Sequence, residues 1–96
     1  MIKYAFKNQS LTVTGHALYA KHGHDIVCAS VSTAIILSSN LINRFNQEKN
    51  VEVAIEEGYF SLKVIQETKE VKHIVDNLLW TLEELRLQYP KNITKE

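Results

Sequence analysis

The sequence lacks most of the features that would declare a function at once. It holds one cysteine, Cys28, among 96 residues. A lone thiol makes no disulfide within the chain and cannot supply a structural zinc site that needs two or four thiolates. There is one proline and there are three glycines, so no linker or low-complexity tract interrupts the chain, and each of these residues marks a particular turn. No run reaches the roughly 18 consecutive apolar residues of a membrane span. The opening Met1-Ile2-Lys3-Tyr4-Ala5-Phe6-Lys7 lacks the long apolar stretch of a signal peptide. Neither sign of charge is in excess, because Lys plus Arg and Asp plus Glu both number 11. Without a basic surplus there is no general phosphate-neutralising surface, which argues against direct nucleic-acid binding. Neutrality also leaves little self-repulsion, which permits self-association. These absences lead to the expectation of a small cytoplasmic protein, in contact with neither membrane nor nucleic acid.

What remains is ordinary globular material. Hydrophobic residues make up 45% and charged residues 23%, enough to build one modest core and too apolar for a disordered chain. Ile2, Tyr4 and Phe6 alternate with Lys3, Ala5 and Lys7, the period-two pattern of a half-buried strand. After a turn at Asn8-Gln9-Ser10, Leu11, Val13 and Gly15 alternate with Thr12, Thr14 and His16 as the hairpin partner. The period is lost from Ala17 to His24. Asp25 then precedes a long apolar stretch, as a helix N-cap does, and a helix is expected over about 25–46. One face of it, Cys28, Ser32, Ser39 and Asn43, is small and polar, and either faces water or borders a cleft.

Residues 51–56 alternate again, Glu57-Gly58 is a tight turn, and Phe60, Leu62 and Val64 continue the pattern. Val71, Ile74, Val75, Leu78, Leu79, Leu82 and Leu85 recur at three and four, the apolar stripe of a second helix that Pro90 ends. The order strand-strand-helix-strand-strand-helix predicts an α+β two-layer sandwich with an antiparallel sheet and two helices. A single domain over residues 1–90 is expected, with residues 91–96 as a frayed tail.

The residues that could carry chemistry cluster near the first helix. A cysteine at a helix start meets the positive end of the helix dipole and the first-turn amides, which favour a thiolate and could donate to a developing oxyanion. His16, at the end of a strand, could take the thiol proton. Asp25 either caps the helix or orients His16, two uses that compete for one carboxylate. The plain alternatives are a core cysteine among Val and Ala and a strand-end histidine without a role. His16, His22, His24 and Cys28 together have the composition of a metal site, but their spacing matches no common ligand pattern, so neither metal nor cofactor is expected.

These residues resemble the ribosomal-processing cysteine protease family, called Prp. Its members are similar in a Gly-His-Ala stretch ending a strand, followed by Gly-x-Asp-x-Val-Cys-Ala-Ala-Val-Ser opening a long helix. Here the segments read Gly15-His16-Ala17 and Gly23-His24-Asp25-Ile26-Val27-Cys28-Ala29-Ser30-Val31-Ser32. Leu18 stands where many members have glycine, and Ser30 replaces the second alanine. The resemblance implies a cytoplasmic, homodimeric cysteine endopeptidase that removes a short N-terminal extension from large-subunit ribosomal protein number twenty-seven. It implies His16 as general base and Cys28 as nucleophile. Asp25 would be supporting, Gly15 and Gly23 would shape the site, and Ser32 is a further candidate. The other reading is a non-catalytic, dimeric, ribosome-associated module with Cys28 in its core.

Charge is unevenly spread. Residues 1–47 carry Lys3, Lys7, Lys21 and Arg44 against Asp25 alone, so the rest of the chain is acidic. Glu52 and Glu56, with Glu57 nearby, are expected to steer a basic ribosomal protein, or else simply form a solvated strand face.

Overall fold

The computed structural model describes residues 1–15 and 26–96. Alternation and turn chemistry build the sheet. Strand β1, Ile2–Lys7, pairs antiparallel with β2, Ser10–Thr14. The turn between them holds Asn8 and Gln9 at φ 52° and 62°, the two positive values of a twist-matched hairpin turn. Ser10 already belongs to the strand, opposite Lys7. Strand β3, Val51–Glu56, pairs with β4, Tyr59–Val64, across the expected Glu57-Gly58 turn, where Gly58 supplies φ +73°. β4 then joins β2, with Leu11 opposite Leu62 and Val13 opposite Phe60.

Two of the expectations need correction. Residues 91–96 are not simply a tail, because Ile93–Lys95 form a fifth strand, β5. It runs parallel to β1, with Ile2 opposite Ile93, so the sheet is mixed rather than antiparallel, in the order β3-β4-β2-β1-β5. The reason is tertiary. Ile93 has a buried slot beside β1 and the second helix, and three residues carry too little pattern to reveal a strand.

Both helices cover one face of the sheet. The first, α1, spans Ile26–Arg44 and ends two residues earlier than expected. Asn46 adopts φ +58°, while the amides of Asn46 and Gln47 donate to the carbonyls of Asn43 and Ile42. That is a Schellman closure with asparagine in the place glycine usually takes. By length and composition α1 is apolar enough to cross a membrane; here Val27, Cys28, Val31, Ile35 and Ile42 are buried in the core. The second helix, α2, spans Lys69–Gln88. Thr68 caps it, its Oγ1 accepting from the Val71 amide at 3.1 Å and donating to Gln47 Oε1 at 2.6 Å. The expected stripe is buried at Val71, Ile74, Val75, Leu78 and Leu82, and partly buried at Leu79 and Leu85.

The helix layer does not reach the whole sheet. Val53 and Ile55 lie opposite Leu62 and Phe60 and so share their face. Leu62 and Phe60 are fully buried, yet Val53 remains 41% and Ile55 57% exposed. β3 is an edge strand, and the helix layer leaves these two side chains uncovered.

Candidate active site

Two glycines build one end of the sheet. Gly15 closes β2 at φ +110°, and a Cβ there would lie 2.3 Å from the Met1 carbonyl oxygen. Its amide donates to the Gly58 carbonyl at 3.0 Å. A Cβ on Gly58 would in turn meet the Gly15 carbonyl oxygen at 3.0 Å. Gly15, without a Cβ, fits this crowded junction. It lets β2, the N-terminus and the β3–β4 turn converge, immediately before His16 in the chain.

Cys28 is the third residue of α1 and is 2% exposed, within the core cluster. Position and burial alone suit both a nucleophile and a core cysteine. The expected sites His16, Gly23 and Asp25, together with Leu18, His22 and His24, lie outside the described residues. So do the questions whether His16 touches Cys28 and whether Asp25 caps the helix or orients His16, and the histidines of the metal set. Among the described residues no group of three His, Cys, Asp or Glu side chains could hold a metal ion.

The polar stripe of α1 does border a cleft. Ser32, one turn after Cys28, lines a hollow of about 390 Å³ with Ile35, Ile36, Ile55, Glu56 and Glu57. Ser39 and Asn43 line a second hollow of about 290 Å³ with Ile42, Glu48, Val51, Val53 and Ile55. Ile55 belongs to both, so they form one trough along β3. Glu52 and Glu56 are not brought together in it. Glu52 lies opposite Lys63 and lines a separate hollow with Ser10, Tyr59 and Ser61. Strand alternation puts Glu56 on that same face, and only its place at the end of β3 lets it reach the Ser32 hollow.

A titratable cluster sits elsewhere, between β1 and α2. The Tyr4 hydroxyl donates to Glu83 Oε1 at 2.6 Å, and Arg86 grips the same carboxylate through Nε at 3.0 Å and Nη2 at 2.6 Å. Burial, then the hydrogen bond to Glu83, pushes the Tyr4 phenol up to about 12. Hydrogen bonds from Arg86 and Tyr4 hold the Glu83 carboxyl down at about 2. Both shifts favour the observed arrangement of neutral phenol, carboxylate and guanidinium.

The sequence profile described as cysteine protease Prp matches residues 1–94. The chain belongs to this family of cysteine proteases. Similarity to individual Prp proteins extends over the same span. The ribosomal processing cysteine protease Prp of Mycoplasma pneumoniae is 33% identical over 100 residues, covering 100% of this chain and 94% of that protein. The Prp of Bacillus subtilis is 26% identical over 90 residues, covering 88% and 80%. In solved structures the fold recurs in Prp from S. aureus in complex with a covalently linked product peptide. There the TM-score is 0.82 at 24% identity, covering 99% of this chain and 95% of that one. The same protease in complex with a substrate peptide gives a TM-score of 0.80 at 22% identity. Membership of Prp makes the chain a cysteine protease, and Cys28 is the one cysteine in its sequence.

Sequence reasoning missed the trough itself. Ile36, Val53 and Ile55 read as ordinary members of apolar patterns. The signal that could have found them is geometric: β3 is an edge strand, and two helices are too few to roof five strands.

Proposed function

We propose that the chain is a cytoplasmic cysteine endopeptidase, homodimeric and cofactor-free, that removes an N-terminal extension from large-subunit ribosomal protein number twenty-seven. The observation that carries this reading is Cys28 in the first turn of α1, in a chain that matches Prp over residues 1–94. Relatives bearing the name ribosomal processing cysteine protease support the substrate class.

The chemistry follows from the residues. His16 takes the Cys28 proton, and the thiolate sulfur attacks the scissile carbonyl carbon. Charge develops on the carbonyl oxygen, where the positive end of α1 stabilises it. As the C–N bond breaks, the imidazolium gives its proton to the leaving amine, and the N-terminal fragment stays on sulfur as a thioester. Water, deprotonated by His16, then cleaves the thioester and restores the thiol. Asp25 supports this end of the site, Gly15 and Gly23 shape the chain on either side of His16, and Glu52 and Glu56 add negative charge that attracts a basic substrate. The exposed side of α1, where Ile26 and Leu37 meet solvent, is the surface that pairs two copies.

Mass spectrometry of the extended ribosomal protein after incubation tests the proposal. The wild type yields the trimmed protein, whereas Cys28→Ala and His16→Ala leave it intact while keeping the folded circular-dichroism spectrum. Cleavage at the wild-type rate by a folded Cys28→Ala protein would refute it.

A further inference from the structure

The face of the sheet turned away from the helices has no cover among the described residues, and its side chains form an ordered array. Strand alternation puts Lys3, Ala5 and Lys7 of β1 there, because Ile2 and Tyr4 are buried on the helix side. The register then aligns three rows across β1, β2, β4 and β3. The central row is Ala5-Thr12-Ser61-Ala54, small throughout. One flanking row reads Lys3-Thr14-Tyr59-Glu56, and the other Lys7-Ser10-Lys63-Glu52. The array is therefore low along its middle, with two lysines at one side and two glutamates at the other. None of its members is buried. Among the described residues the ion pairs are Lys72–Asp76 and Glu83–Arg86, so the four corner charges have no opposite charge bound within their own copy.

We infer that two copies of the chain associate through this face, sheet against sheet, about a two-fold axis that runs along the strands between β2 and β4. Charge selects that axis. A half-turn about it keeps each row level and exchanges the two sides of the sheet. Lys3 of each copy then stands over Glu56 of the other, and Lys7 over Glu52, which makes four opposite-charge pairs at the corners. Thr12 meets Ser61 and Ala5 meets Ala54. These side chains are short enough for the sheets to close to about 10 Å, a gap that a lysine and a glutamate bridge from opposite sides. The hollow of about 470 Å³ beside Glu52, Tyr59 and Ser61 lies on this face and receives Lys7 of the other copy. A two-fold axis across the strands would instead set β1 over β1, lysine against lysine. A polyanion matches the lysine side and is repelled by the glutamate side. Four strands about 4.8 Å apart and five residues of about 3.3 Å rise give a footprint of roughly 19 Å by 17 Å. That is small for a permanent interface, so the association is weak, reversible and sensitive to salt. The inference does not rest on cleavage. The face lies opposite α1, so it leaves Cys28 and the pairing surface proposed on α1 uncovered, and adds a second contact to it.

Analytical ultracentrifugation of the full chain, over a concentration series at low and high salt, tests the inference. Lys7→Glu and Glu52→Lys each set like charges against each other at two corners, and each is expected to weaken the association about tenfold or more. Both positions are exposed, so the fold tolerates the changes. Combining the two restores opposite charges with the signs exchanged and should return the wild-type distribution, a rescue that loss of folding stability would not give. Thr12→Arg in the central row should prevent the sheets from closing while the folded circular-dichroism spectrum persists. If the single variants reduce a tetramer to a dimer, both contacts exist. If they reduce a dimer to a monomer, this face alone pairs the copies and the α1 contact fails. Either result supports the inference. A distribution that neither single variant alters, a double variant that restores nothing, or a wild type that stays monomeric at every concentration overturns it.

Discussion

Replacing Gly15 by alanine probes the joint on which the candidate site is hung. Two costs arise together. At φ +110° an L-residue with a Cβ is strained, by about 1–3 kcal/mol for a sparsely populated backbone region. The new Cβ would also stand 2.3 Å from the Met1 carbonyl oxygen, whereas real contacts of this kind stay beyond 3.0 Å. The neighbouring backbone must therefore part by about 0.7 Å. It cannot do so freely, because the Ile2 amide is tied to the Asn92 carbonyl at 2.8 Å and the Gly15 amide to Gly58 at 3.0 Å. Overpacking of this kind adds about 1–3 kcal/mol, so a total loss of about 2–6 kcal/mol is expected. Urea unfolding followed by circular dichroism should show the midpoint falling with little change in slope. Cleavage by the folded fraction should fall as well, since any displacement of Gly15 passes directly to His16. A mutant within 0.5 kcal/mol of wild type would refute the reasoning, and so would one that is destabilised as expected but cleaves normally per folded molecule, which would detach Gly15 from the site.

Three further outcomes follow from the packing. Ile93→Ala truncates a side chain that is 1% exposed and should cost about 2–5 kcal/mol in denaturant unfolding; a cost under 0.5 kcal/mol would restore the picture of a frayed tail. Thr68→Ala removes the α2 cap and the tie to Gln47, and should lower stability by about 1 kcal/mol, measured as a drop in Tm. The Tyr4–Glu83–Arg86 cluster gives stability two pH limits. Glu83, depressed to about 2, contributes fully above the ordinary carboxyl range and loses its contribution as pH falls toward 2. Tyr4, raised to about 12 from 10.0, contributes fully below pH 10 and loses its contribution as pH climbs toward 12. Tyr4→Phe should abolish the alkaline part of the dependence, and an unchanged alkaline limb would show that another group carries it.

The sequence by itself determined the local elements, because each rests on near-neighbour physics. Two-residue alternation specified β1 to β4, Asn8-Gln9 and Glu57-Gly58 specified the hairpins, and three-four periodicity with Pro90 specified α2. It also placed Cys28 in the first turn of a helix, while the expected strand-end position of His16 lies outside the described residues. The end of α1 was legible less well, because the left-handed closure at Asn46 uses a residue that favours such geometry only weakly beside glycine.

What only the tertiary structure decided is what depends on distant neighbours. Ile93 is a tail residue in sequence and a core residue in space, since burial against β1 exists only once the hairpin and α2 are assembled. Glu52 and Glu56 look like one acidic face, yet strand ends and edges separate their surroundings. Val53 and Ile55 follow the same alternation as Phe60 and Leu62. Alternation sets which way a side chain points, but the number of helices available to cover the sheet sets whether it is buried. At the edge strand β3 that cover runs out, which leaves Val53 and Ile55 exposed.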